Sequence, residues 1–312
     1  MPKYFSSESE ILTHIRRWTR SPRAPYGIGD DAALVRPAKG KTQAITTDFL
    51  VEGVDFKKRD DPALVGRKTL AVNLSDLAAM GAKPRHALLY LAFPQRTPAR
   101  SIRQFFKGWS ALARKYHIEV IGGDLSRGKE WMSGAVLMGE RPASSNFLRS
   151  GAKAGDSLWV TGTLGGSILG KHFQFEPRVG EAIFLSEHFP ISSCIDLSDG
   201  LGQDLPRLLE ASRKGAHIFL NAIPVSTAAR RLSLGSGKSP IRHAFQDGED
   251  FELLFTAGSN CDRRLLKAWK TKFRTPLAKI GVITPGRKVR FFRGGKEASL
   301  SSQLLKGYDH FQ

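Results

Sequence analysis

Cysteine is nearly absent: Cys194 and Cys261 are the only two in 312 residues. Two are too few for a disulfide framework or a zinc site, and their spacing matches no redox pair, so a reducing, cytoplasmic setting is expected. No stretch approaches the roughly 20 apolar residues that span a bilayer. The first twenty residues carry Glu8 and Glu10 and lack an apolar signal core, so neither export nor membrane insertion is expected. No Gly-x-x-x-x-Gly-Lys-Ser/Thr occurs. Gly27-Ile28-Gly29 lacks the preceding strand, third glycine and helix of a dinucleotide fingerprint, which disfavours P-loop and Rossmann mechanisms. Short-period repeats and low-complexity tracts are missing too.

Acidic residues are scarce, 29 against 48 Lys and Arg, for a formal charge of +19. Such a surplus attracts nucleic acid, anionic lipid or small polyanions. The basic residues are dispersed (Arg16, Arg17, Lys57, Lys58, Arg213, Lys214, Arg230, Arg231) and form no tract interleaved with aromatics, which favours a solvated surface over a nucleic-acid groove. With 41% hydrophobic residues, the chain is apolar enough to fold and long enough for two domains.

Apolar spacing predicts alternating helices and strands, a mixed α and β fold. Ser7 and Glu10 form a capping box before a helix carrying Ile11, Leu12, Ile15 and Trp18. Strands are expected at 44–48, 87–93, 119–121, 133–138, 157–161, 193–196, 217–220 and 252–256. Helices are expected from Leu64 to a Gly81 cap, over 102–116 with Phe106 and Trp109 in the core, and from Leu201 to Ser212. The segment 141–156 reads as a domain junction, dividing the chain into 1–141 and 142–312. The cluster from Ser233 to Ser239 reads as a surface loop, and Cys194 as a small buried hydrophobe.

The few carboxylates concentrate at strand ends and glycine-flanked turns: Asp30-Asp31, Asp48, Asp76, Gly123-Asp124, Asp196 to Gly200, and Gly248 to Asp250. Each alone suits an ordinary turn, a helix cap or a solvated helix position. Together, with no matching row of His or Cys, they are the oxygen ligands that hard Mg²⁺ prefers. His172 reads as a surface or packing residue for the same reason.

In order along the chain, GIGDDAA at 27–33, TTDFLVEGVDF at 46–56, KTLAVNLSDLAAMGAKP at 68–84, IGGDLSRG at 121–128, RSGAKAGDSLWVTGTLGGS at 149–167, IDLSDGLGQDL at 195–205, DGEDFELLFT at 247–256 and KGYDHF at 306–311 resemble the signature blocks of thiamine-monophosphate kinases. These belong to the aminoimidazole-ribonucleotide-synthetase-like superfamily. The resemblance implies a two-domain fold, with N-terminal sheets pairing across a homodimer and a C-terminal α/β domain. It implies transfer of the γ-phosphoryl group of ATP, as co-substrate, to thiamine monophosphate. Several Mg²⁺ ions would be held by Asp31, Thr46, Thr47, Asp48, Asp76, Asp124, Asp196 and Asp199, with Asp30 behind them. Gly122, Gly123, Arg149 and Ser198 would contact ATP, and Asp55, Glu249 and Leu305 the acceptor. No catalytic general base is expected, because a phosphate acceptor with a second pKa of about 6 is already ionised near neutrality.

The chain departs from the family pattern in two of these places. Asp55 stands where His is common, and Leu305 where an aromatic is common. The segment from His172 to Arg178 follows Gly170 where many relatives carry a longer insertion. The alternatives are another ATP-using synthetase of the superfamily and a basic nucleic-acid-binding protein. A selenophosphate synthetase would place a reactive Cys in an N-terminal glycine-rich loop, where this chain has none.

Overall fold

The computed structural model describes residues 31, 33–35, 42–142, 145–298 and 302–305. The opening helix, Asp30 with most of its turn, and the 306–311 block lie outside them.

The first sheet is built from β1 (Ala33–Val35), β2 (Thr42–Val51), β3 (Lys83–Phe93), β4 (Glu119–Arg127) and β5 (Met132–Arg141), in the order β1-β2-β5-β3-β4. The β3–β4 pair is parallel, so its connection must cross over, and it does so through α2 (Ala99–Lys115). Beneath the sheet runs α1 (Pro62–Ala79). Asp61 caps its start by accepting from Ala63 N at 2.9 Å, and Pro62 occupies the first helical position. At its end, Gly81 is left-handed (φ 61°). Ala82 N donates to Leu77 O at 2.8 Å and Gly81 N to Ala78 O at 2.9 Å, a Schellman closure.

The apolar stripe expected on α1 understates its burial. Lys68, Thr69, Asn73 and Ser75 are also buried, because the helix packs against β2 and β5, against α2, and against the second half of the chain. Helix α2 contributes Phe105 and Trp109 to the core, whereas Phe106 is exposed, contrary to the expectation from its spacing.

The second sheet runs β12-β11-β8-β10-β6-β9-β7. Its strands are β6 (Asp156–Thr161), β7 (Ile191–Asp196), β8 (Gly215–Phe219), β9 (Leu253–Gly258), β10 (Leu277–Thr284), β11 (Val289–Arg293) and β12 (Lys296–Glu297). Around it lie α3 (Lys171–Gln174), α4 (Val179–His188), α5 (Leu201–Ser212), α6 (Thr227–Ser236), α7 (Pro240–Gln246) and α8 (Asp262–Lys272). The presumed loop at 233–239 is in part the end of α6, which closes on left-handed Gly237. One apolar cluster runs from Leu70, Phe105 and Trp109 through Phe147 to Trp159, Phe255 and Trp269, so it joins the two sheets. A second fills the far face with Leu158, Ile195, Leu205, Ile218 and Phe245. Cys194 is fully buried, as its apolar setting suggested.

Strand β4 differs from its expected form. Gly122-Gly123-Asp124 does not end the strand, which continues to Arg127. A Cβ at residue 123 would fall 1.8 Å from Leu89 O, so glycine is what lets β4 lie against β3 there. The whole strand is exposed at the sheet edge.

Candidate functional site

Three carboxylates from distant parts of the chain converge where β1, the end of α1 and the end of β7 meet. Oxygens of Asp31, Asp76 and Asp196 lie within 4.8 Å of one another. Short side chains from neighbouring elements orient them. Thr46 Oγ1, on β2, donates to Asp76 Oδ2 at 2.5 Å and sits 3.3 Å from Asp31 O. Ser75 Oγ donates to Asp196 Oδ2 at 2.6 Å, and Arg149 Nη2 donates to Asp31 Oδ1 at 2.6 Å.

Burial pushes the Asp76 carboxyl well above the ordinary carboxylate range, helped by the charges of Asp196, Asp48 and Asp31 and opposed by the Thr46 hydrogen bond. Burial likewise moves Asp196 up to about 7, Asp31 adding to the rise and Ser75 and Arg149 resisting it. Like charges this close in a poorly solvated place require a proton or a cation between them. Three oxygen donors with no imidazole or thiolate suit a hard divalent ion such as Mg²⁺, so the residues present fit the metal expected there.

Thr47 and Asp48 follow Thr46 on β2 and meet the sheet through Tyr90. The Tyr90 hydroxyl lies 2.9 Å from Thr47 Oγ1 and 3.4 Å from Asp48 O. To get there its ring crosses β5 over Gly134, where a Cβ would fall 2.3 Å from the ring. Burial raises the Tyr90 pKa and Asp48 adds to the rise. Asp124 is the register partner of Tyr90 across the β3–β4 pair, exposed beside Gly122 and Gly123. Tyr90 and Gly134 escaped the sequence reading. An isolated glycine in a strand pattern, a mark of close approach, was the available signal.

Asp199 is partly buried in the loop entering α5 and pairs with Arg207 Nη1, which also reaches Asp204 Oδ1 at 2.9 Å. Asp204 is buried and its pKa is raised well above the ordinary value, by burial first and Asp199 next. Asp204 Oδ2 accepts from Asp199 N at 3.0 Å, so Asp204 and Arg207 hold the loop that carries Asp199.

Of the expected acceptor contacts, Asp55 turns its carboxylate back on its own turn and accepts from Val51 N at 2.8 Å. Glu249 pairs with Lys68 of α1, while its N–H donates to Ser198 O at 2.6 Å. Leu305, in the short turn Ser302–Leu305, packs on the second core cluster.

The turn that presents Glu249 is strongly restrained. Gly165 N donates to both Asp250 oxygens, at 3.0 and 2.9 Å, and Gly166 N to Asp247 Oδ2 at 2.7 Å. Burial raises Asp250 to about 7. Glu252, fully enclosed, takes two bonds from Arg178, at 2.6 and 2.8 Å, and one from Lys171 at 2.9 Å. Burial alone would raise the Glu252 pKa, but Lys171 and Arg178 outweigh it and lower the value.

The family "AIR synthase related protein, N-terminal domain" matches residues 29–140. The thiamine-monophosphate kinase of Rhodopirellula baltica is 38% identical over 288 residues, covering 88% of this chain and 89% of its own. Among solved structures, AaThiL complexed with AMPPCP and TMP superposes with a TM-score of 0.80 at 29% identity, covering 98% of this chain and 97% of that one. The thiamine-monophosphate kinase of Stenotrophomonas maltophilia does so with a TM-score of 0.73 at 32% identity, covering 95% and 98%.

Proposed function

The chain belongs to the thiamine-monophosphate kinase family, and from that premise we propose that it transfers the γ-phosphoryl group of ATP to the phosphate of thiamine monophosphate, giving thiamine diphosphate and ADP. The observation that carries this reading is the meeting of Asp31, Asp76 and Asp196 within 4.8 Å.

Donor and acceptor are both phosphate anions, so their approach is opposed by charge. Mg²⁺, when bound, supplies the positive charge that offsets this repulsion. Asp31, Asp76 and Asp196 would hold it beside Thr46, with Thr47, Asp48, Asp124 and Asp199 as further ligands of several ions. The protein's own part is positional. Ser75 and Thr46 orient two of the carboxylates, and Arg149, paired with Asp31, would donate to a phosphate of ATP, with Gly122, Gly123 and Ser198 as further contacts. No side chain is asked to remove a proton from the acceptor.

A homodimer joined through the first sheet belongs to the same reading. Among the described residues, β4 pairs only with β3 and carries Val120, Ile121 and Leu125, 52%, 54% and 67% exposed, an apolar edge of the kind that soluble proteins cover. The division into 1–141 and 142–312, and a cytoplasmic location, complete the proposal. Among the described residues, no helix is long and apolar enough to cross a membrane.

The test is Asp76→Asn. The substitution keeps the side-chain shape and removes one ligand charge, and it should abolish turnover while circular dichroism stays unchanged. Near-normal turnover would refute the assignment.

A further inference from the structure

Lys68 on α1 has no part in the chemistry above, yet its side chain is fully enclosed. An ammonium in that position is costly unless it is paired. Its Nζ donates to Asp55 O at 3.1 Å and to Glu249 Oε1, and stands 5.4 Å from the centre of the Phe173 ring. These partners come from the turn before α1, the turn before β9 and helix α3. They include the backbone of one expected acceptor contact and the carboxylate of another.

Glu249 is fastened at two points. Its backbone is left-handed (φ 52°), a conformation unusual for a side chain of this size, and is held by the bond from its N–H to Ser198 O. Its carboxylate is tied through one oxygen to Lys68, yet the side chain remains 36% exposed and so stays open to a ligand.

The place of Lys68 on α1 adds a second observation. Seven residues along the helix, Ser75 donates to Asp196 of the acidic cluster. Seven residues are two turns, so both side chains leave the same face, about 10 Å apart along the axis. One stripe of α1 therefore fixes both ends of a site: Ser75 holds the acidic cluster where the phosphates meet, and Lys68 holds Glu249 two turns away.

We infer that Lys68 is a positioning residue for the acceptor, holding Glu249 where it receives the cationic organic end of the molecule, away from the phosphate. The inference rests on the kinase reading and adds to it a determinant of acceptor affinity.

The experiment is steady-state kinetics of the full chain with Mg²⁺ present, varying thiamine monophosphate at saturating ATP and then ATP at saturating acceptor. The variants are Lys68→Met, Glu249→Gln and the double. If wild type forms no thiamine diphosphate, the kinase reading itself fails. Given an active wild type, Lys68→Met should raise KM for thiamine monophosphate about tenfold or more, the effect of losing one charge-assisted contact. kcat and KM for ATP should stay within about twofold of wild type, and the double variant should be no worse than the poorer single. An unchanged acceptor KM, an equal loss in kcat and in KM for ATP, or multiplying effects in the double would overturn the inference. So would a Lys68→Met chain that fails to fold, because the lysine would then serve the fold and not the acceptor.

Discussion

Asp76 and Asp196, which meet beside Asp31, can be neutralised by protons or by a cation, and the two compete. The folded-state pKa of Asp196 is about 7 against an ordinary value near 4, so between those pH values the folded chain binds protons that the unfolded chain has lost. Stability of the metal-free protein must therefore fall as pH rises through that window. Asp76, Asp204 and Asp250 are raised as well and act with the same sign. Glu252 is lowered, so its stabilising contribution is lost only below the ordinary glutamate range, outside the window. Denaturant midpoints measured in EDTA should decrease from pH 5 to pH 8, and Mg²⁺ should restore stability most at the high end. A midpoint independent of pH would contradict this electrostatic picture. The carboxylates were readable from their glycine-flanked and strand-end settings. Lys68, Tyr90 and Arg178 were not, because their partners lie 181, 43 and 74 residues away and nothing local marks a long-range partner.

Helices α1 and α2 approach so closely that each gives up a side chain at the crossing. A Cβ at Gly66 would lie 2.1 Å from Phe105 O, and one at Gly108 would lie 1.8 Å from Ala63 O. Neither glycine has a left-handed backbone, so space and not conformation is the constraint. Gly108→Ala, which raises intrinsic helix propensity, should nonetheless destabilise the protein by about 1–3 kcal/mol or more, because the helices must separate. Equilibrium unfolding checks this, and a stabilised variant would show that the helices part at no cost. The bounds of α5 and the Gly81 cap of α1 were legible because capping and apolar spacing are local signals. The reach of β4 was hidden, since a glycine pair reads as a turn unless a close neighbouring strand is known. Helices α4 and α8 were passed over although both bury apolar residues, Phe184 and Leu185 in one and Leu265 and Trp269 in the other.

At the scale of the molecule, α1 is shared property: it lies under the first sheet and packs on α3, α4 and β7 of the second half, so the acidic cluster forms only when the two halves are assembled. The mixed α and β character was legible from alternating periodicities. The sharing of α1 was not, because a helix buried on most of its faces still shows an apolar stripe. Leu125 stands on the exposed edge strand, where the proposed homodimer would join; on that proposal light scattering should find a dimer for the wild type and a monomer for Leu125→Asp, whereas an equal mass for the two would move the interface elsewhere. The central claim is that the converging aspartates serve phosphoryl transfer onto a phosphate acceptor. Purified protein incubated with Mg²⁺ and ATP, with and without thiamine monophosphate, tests it directly by mass spectrometry. Thiamine diphosphate and ADP formed in equal amounts only when the acceptor is present is the predicted result, and ADP released at the same rate without thiamine diphosphate would contradict it.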